Sequence, residues 1–314
     1  MRLPWSTVSG VLGLYLLLAP YPAVLADVAV VRLIREGGAG TPMTQEIDYF
    51  KDTMKRTDTK MEMTGKTFGM LLWPKDLSII YRPDRDLVWE VNHANRTYRE
   101  RALSVYHRGD KSGGERGRAG ALHEGGAGGG NQEEAGLVSG ELDVQKTGEK
   151  RTISGFPCSL HVLTWLVETE EEKSKRRNKF RMTGNFWNTE GKGKIKEVMA
   201  AEDMFERAYL EKTGLDMTPG DMRKFGLWVL PGAAGLDGKE LKAGLEKMKG
   251  YSVLTSIKWE VRREMGRELG GEGGNFQTLF EYREEIKSLD AAALPDSHFE
   301  VPKDYKMERG VLQR

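Results

Sequence analysis

The chain has one cysteine, Cys158, among its 314 residues. An intramolecular disulfide is therefore excluded, as is a zinc cage built on several thiolates. The five histidines (His93, His107, His123, His161 and His298) lie far apart, and none forms an HxxxH or HExxH pair. No G-x-S-x-G elbow, S-x-x-K or Walker-type loop occurs, and the glycine tracts lack the strand-to-helix setting that aims backbone amides at phosphate. The expectation is thus a protein that is not an enzyme, with no metal and no cofactors. Net charge is only +1, so bulk electrostatics points to neither nucleic acid nor an acidic surface. An apolar run long enough to span a bilayer is also missing. The longest, Val8 to Ala19, is about a dozen residues against the ~20 a spanning helix needs.

That run follows Arg2 and precedes Val24-Leu25-Ala26, with Asp27 next. The pattern predicts a cleavable secretory signal over residues 1–26, cut after Ala26, and places the mature protein in the periplasm or outside the cell. Asp27 stands where a lipoprotein would carry its modified cysteine, so no lipid anchor through the signal and no membrane span after cleavage are expected.

The strongest local signal runs from Glu141 to Trp165 and continues to Val167. Gly155 and Pro157 bound a strand candidate, Cys158 to Val167, rich in β-branched and aromatic residues. Leu160, Val162 and Leu166 fall on one of its faces and Leu163, Trp165 and Val167 on the other. A strand with one wet face alternates cleanly, so both faces here require cover. Cys158 reads as a small apolar core residue and His161 as a hydrogen-bonded sheet residue. Further strands are expected at 27–35, in two pieces across 45–63, at 77–81, 87–91 and 97–101, then at 180–189, 251–262 and 276–286, with a closing edge strand near 299–306. The period changes over Ile195 to Leu210, which reads as a helix stopped by Gly214; shorter helices are expected at 219–228 and 236–248. From 109 to 140 the composition collapses to Gly, Glu, Arg and Ala, which predicts a disordered insertion. With no βαβ alternation, the class is α+β, built on an antiparallel sheet of about ten strands.

Two phrases carry a resemblance. Tyr49-Phe50-Lys51-Asp52 with Met54-Lys55-Arg56, and Lys146-Thr147-Gly148-Glu149-Lys150-Arg151-Thr152-Ile153-Ser154-Gly155-Phe156-Pro157-Cys158, resemble a domain-of-unknown-function family of exported bacterial proteins. In that family the second phrase has the form TGEKKTINGYKC. The closing Phe299-Glu300-Val301-Pro302-Lys303-Asp304-Tyr305-Lys306 is similar to its ending, FEIPAGYK. Members are assigned a fold like that of the lipoprotein carrier LolA and the receptor LolB. The resemblance implies a single LolA-like domain over 27–308: a large curved antiparallel sheet, an incomplete β-barrel, closed by two or three helices over an apolar cavity.

The expected function is non-enzymatic binding of a lipid, a lipoprotein acyl chain or another apolar ligand in the concavity of the sheet. Flexible methionines and large aromatics suit such a guest. The cavity candidates are Met54, Met61, Met63, Trp89, Leu163, Trp165, Val167, Trp187 and Trp259. The alternative is a structural or interaction module of the cell envelope, with a filled core and another envelope protein as partner.

Overall fold

Val28, Val30, Arg32 and Ile34 are buried and alternate with half-buried neighbours, the period-two signature of a strand with one face inward. This is β1 (Val28–Glu36) of a computed structural model that describes residues 27–36, 43–62, 76–106, 135–171, 177–214, 243–244, 246–263, 275–291 and 293–308. The first half continues with β2 (Met43–Lys51), β3 (Met54–Glu62), β4 (Asp76–Arg82), β5 (Leu87–Asn92) and β6 (Thr97–Ala102), of which β2 and β4 show the same alternation. The second half supplies β7 (Ala135–Ile153), β8 (Phe156–Glu171), β9 (Arg177–Thr189), β10 (Tyr251–Arg263) and β11 (Gln277–Ala291), and the chain ends in the short β12 (Lys306–Met307). All twelve form one sheet in the order β12-β6-β5-β4-β3-β2-β1-β11-β10-β9-β8-β7. Its edges, β12 and β7, are not paired with each other, so the sheet is open. Every pair is antiparallel except β12 with β6.

Several expectations need correcting. Ala135 to Gly140, read as the end of a disordered insertion, belong to β7 and pair with Val167 to Glu171 of β8. Cross-strand hydrogen bonding here outweighs a glycine-rich composition. The closing segment is not an extended strand from Phe299. Asp296–Phe299 form a 3-10 turn, and only Lys306–Met307 join the sheet. Among the described residues one long helix, α2 (Lys194–Thr213), packs on the sheet, together with a four-residue turn, α1 (Leu103–Tyr106), that the sequence did not signal. The helix expected at 219–228 lies outside the described residues, as does most of the one at 236–248. Among the described residues no helix is long and apolar enough to cross a membrane.

α2 buries Ile195, Val198, Ala201, Phe205 and Tyr209, spaced at three and four residues so that they share one stripe. Gly214, at φ 68°, ends the helix in the left-handed conformation, and its N–H closes on the Leu210 carbonyl at 2.9 Å. The stripe packs with Val28, Val30, Phe50 and Val88, which identifies the inner face of the sheet. Farther along, Leu163, Trp165, Val167, Met182, Phe186 and Ile257 form a second cluster. Register puts Leu163 opposite Gly184, Trp165 opposite Met182, and His161 opposite Phe186 on that face. A third cluster, Met54, Ile80, Trp89 and Val91, lies under Phe299 and Val301 of the C-terminal segment. Each large apolar side chain buried in these clusters stabilises the fold by about 1.5–3 kcal/mol before entropy is counted.

The two faces of β8 fare differently. Leu160 lies opposite Trp187, with Val162 packed beside it, and Arg151 stacks its guanidinium 3.9 Å from the Trp187 ring centre. Leu166, on the same face, is 36 % exposed. That face is therefore covered at one end, in part by an arginine, and wet at the other.

Gly250 precedes β10 at φ 94°, and a Cβ there would meet the Thr189 carbonyl oxygen at 2.4 Å. Both the backbone conformation and the contact require glycine. Gly250→Ala is expected to cost about 1–3 kcal/mol. Urea unfolding measures it, and an unchanged midpoint would show that this backbone relaxes freely.

Candidate ligand-binding site

Arg32 interrupts the apolar inner stripe of β1, and register sets Glu46 of β2 beside it on one side and Ile286 of β11 on the other. A buried guanidinium survives only when paired. Arg32 has three carboxylate partners: Nη1 to Asp48, Nη2 to Glu202 of α2 at 2.8 Å, and Nε to Glu284 of β11 at 2.9 Å. The Tyr251 hydroxyl donates to the same Glu202 oxygen at 2.8 Å. Thr57 donates to Asp48 at 2.6 Å, and Lys55 approaches that carboxylate at 3.2 Å. Burial works against the Arg32 charge, but Tyr251, Glu202 and Glu284 together outweigh it and hold the group firmly protonated. Burial, reinforced by Glu202, raises the Tyr251 phenol well above its usual range.

Lys55 shows the opposite balance. Burial, then repulsion from Arg32, lowers its amine from 10.5 to about 8. The unfolded chain therefore binds the extra proton between about pH 8 and 10.5, and the contribution of Lys55 to stability should rise with pH across that window. Lys55→Met should remove that contribution. Urea midpoints of both proteins measured from neutral pH upward test this, and midpoints that change in parallel through the window contradict a depressed amine.

Beside this ion cluster a cavity of about 470 Å³ opens between α2 and strands β1, β9, β10 and β11. That volume falls within the ~300–1,000 Å³ of small-molecule sites. Its apolar wall is Phe186, Met199, Met248 and Ile286, and its polar wall is Arg32, Asn188, Glu202, Thr255 and Glu284. Glu246 and Lys249, both exposed, also line it. Asn188 is 8 % exposed, and its amide nitrogen donates to the Lys249 carbonyl at 3.1 Å. Its Oδ1 has no partner among the described residues.

The structure distributes seven of the nine sequence candidates over three places. Leu163, Trp165 and Val167 lie in the second cluster with Trp259 packed on it, and the Trp165 and Trp259 rings meet edge-on at 5.7 Å. Met54 and Trp89 sit in the cluster beneath the C-terminal segment. Trp187 belongs to the cluster that includes α2. Met61 is a β3 residue whose side chain is not described, and Met63 lies outside the described residues. Phe186 and Met248 belong both to the second cluster and to the cavity wall. His161 is buried, and burial with Lys146 nearby lowers its pKa; its Nδ1 has no partner among the described residues. Cys158 is buried among apolar residues, and burial raises its thiol.

A serine–histidine contact does occur. Ser78 Oγ is 2.6 Å from His93 Nε2, whose Nδ1 is 2.9 Å from the Tyr305 hydroxyl. Ser78 is 1 % exposed and donates to Asp58 at 2.5 Å, while Arg56 holds both. One tautomer satisfies the chain: Tyr305 donates to Nδ1, Nε2–H donates to Ser78, and Ser78 donates to Asp58. The imidazole is then a donor to the serine, the reverse of a base activating a nucleophile. This network fastens the C-terminal segment to β3, β4 and the turn after β5.

Sequence reasoning missed the ion cluster, yet its signal was present. Arg32 falls in phase with Val28, Val30 and Ile34, and Glu46 and Asp48 fall in phase with Phe50. Glu202 and Glu206 fall on the buried stripe of the helix. Charges at inward positions of two neighbouring strands and a helix imply that they meet. No protein-family model matches the chain, and no curated protein matches it.

Proposed function

We propose that this chain is a non-enzymatic binding protein of LolA-like architecture, acting in the periplasm or outside the cell, that holds a lipid, a lipoprotein acyl chain or another apolar ligand in the concavity between α2 and the sheet. The observation that carries the reading is the cavity of about 470 Å³, whose apolar wall runs through Phe186 into the Leu163, Trp165 and Met182 cluster. An apolar chain entering there meets methionines and aromatics that adapt to a poorly specified guest.

A concave sheet is supported by the reach of α2. Glu202 meets Tyr251 of β10, and Tyr209 meets Tyr81 of β4 edge-on at 6.2 Å. β4 and β10 are five strand steps apart, about 24 Å in a flat sheet. The helix rises only about 10 Å between those residues. A sheet curled toward the helix, as in an incomplete barrel, reconciles the two lengths.

The rival is an envelope interaction module with a filled core. The packed cluster under Phe299 favours it on the outer side, but the cavity beneath α2 does not. Organic extraction and mass spectrometry of protein purified from an exporting host is the test. Stoichiometric co-purifying lipid is the expected result. Protein that carries none and takes up none from micelles or vesicles overturns the proposal.

A further inference from the structure

A conformational device, independent of the ligand cavity, is built into the C-terminal segment. We infer that residues 293–308 form an acid-released strap, seated over Met54, Ile80, Trp89 and Val91 at neutral pH and let go when the His298 ring gains a proton. The 3-10 turn Asp296–Phe299 sets His298 beside Phe299, with ring centres 5.5 Å apart. Phe299 enters the apolar cluster, and the His298 ring meets Tyr49 of β2 edge-on at 4.3 Å. Arg56 of β3 donates to the His298 carbonyl at 3.0 Å. The His298 Nε2 is buried and has no hydrogen-bond partner among the described residues. A neutral ring leaves that nitrogen as a bare acceptor. An imidazolium must place an N–H there with nothing to receive it, and an unmade hydrogen bond costs more on a charged group.

The charges facing the ring point the same way. Arg56 opposes a further proton; Asp58 favours one, but it already accepts from Arg56 and Ser78. From β2, Tyr49 brings a phenol that burial keeps neutral, and Lys51 pairs with Asp296 at 2.7 Å. On the strap itself, Glu300 pairs with Arg82 of β4 and with Arg85. Burial, then Arg56, lowers the His298 pKa from its ordinary 6.5. A released segment therefore binds the proton more readily than a seated one. The hold of His298 is complete above pH 6.5 and weakens as pH falls below it. Two acidic anchors keep their charge through that range. Lys51 holds the Asp296 carboxyl below its usual range, and the Thr97 hydroxyl with Arg99 does the same for Glu308. His93 touches two hydroxyls, Ser78 and Tyr305, which can each accept, so an added proton there breaks neither contact.

The test is limited proteolysis of the full-length mature chain from pH 7.5 to 5.5. Cleavage within 293–308 is divided by cleavage of the free 293–308 peptide at the same pH, which removes the protease's own pH dependence. The ratio should rise by about fivefold or more toward pH 5.5, with the far-ultraviolet circular dichroism of the sheet unchanged. His298→Phe keeps a ring on Tyr49 and removes the titrating nitrogen, so its ratio should stay flat. His161→Phe, which removes the buried histidine of β8, should keep the wild-type rise. A flat wild-type ratio, an equal rise in His298→Phe, loss of the rise in His161→Phe, or loss of the sheet signal over the same range overturns the inference. NMR titration of the wild-type His298 ring gives a second readout that needs no variant. A ring that titrates at or above the value in the free peptide overturns the inference as well.

Discussion

Arg32→Ala should lower the free energy of unfolding by about 3–5 kcal/mol, the range for breaking a buried ion pair from one side. The substitution leaves Asp48 at 4 % and Glu202 at 4 % exposure with their cation removed, and Glu284 beside them. Lys55 is the remaining cation near Asp48, and burial already opposes its charge. The loss therefore comes mainly from stranded carboxylates, less from missing attraction. The contrast that separates these is a quadruple variant in which Arg32, Asp48, Glu202 and Glu284 all become apolar residues of similar size. It should recover part of the stability, because Arg32 is removed together with its three carboxylate partners while Lys55 loses Asp48. Equilibrium unfolding in urea reads both. A loss below about 1 kcal/mol for Arg32→Ala would mean that the cluster is hydrated in solution, with Glu202 and α2 not held against β1.

Much of the sheet was legible because its strands are local patterns. β4, β5 and β6 appear in the sequence as three short alternating runs between turn formers, and the structure places them at Asp76–Arg82, Leu87–Asn92 and Thr97–Ala102. The turn at Ser154-Gly155 was equally readable. Both residues have positive φ, 48° and 85°, as a two-residue hairpin loop requires. What escaped is non-local. Strand order sets β1 beside β11, some 250 positions later in the chain, and nothing in either segment names the other. The ion cluster draws on β1, β2, α2, β10 and β11, so the inward phase of its charges is readable in each segment while their meeting is not. The same holds for the Met54 and Trp89 cluster. Both were read as candidates for a cavity wall, and pattern alone does not show that the chain's own C-terminal segment lies over them.

Phe299 is the anchor of that segment, and Phe299→Ala should destabilise the protein by about 3–5 kcal/mol. The side chain is fully buried among Met54, Ile80, Trp89 and Val91. The backbone on either side is tied down: Arg56 donates to the His298 carbonyl at 3.0 Å, Arg82 to the Phe299 carbonyl at 3.4 Å, and Arg82 also pairs with Glu300. These ties resist collapse of the segment into the space left by the ring, which places the cost toward the upper end of the range. Phe299→Leu should restore more than half of it. Limited proteolysis adds a readout specific to the segment, with cleavage within 293–308 accelerated in the alanine variant before the sheet itself unfolds. The variant also distinguishes the two sides of the sheet as ligand sites. A lipid held beneath α2 should bind the folded variant as it binds the wild type, because Phe299 packs on the opposite face. Lipid uptake that rises when Phe299 is truncated would move the site to Met54 and Trp89, with the C-terminal segment as its natural occupant.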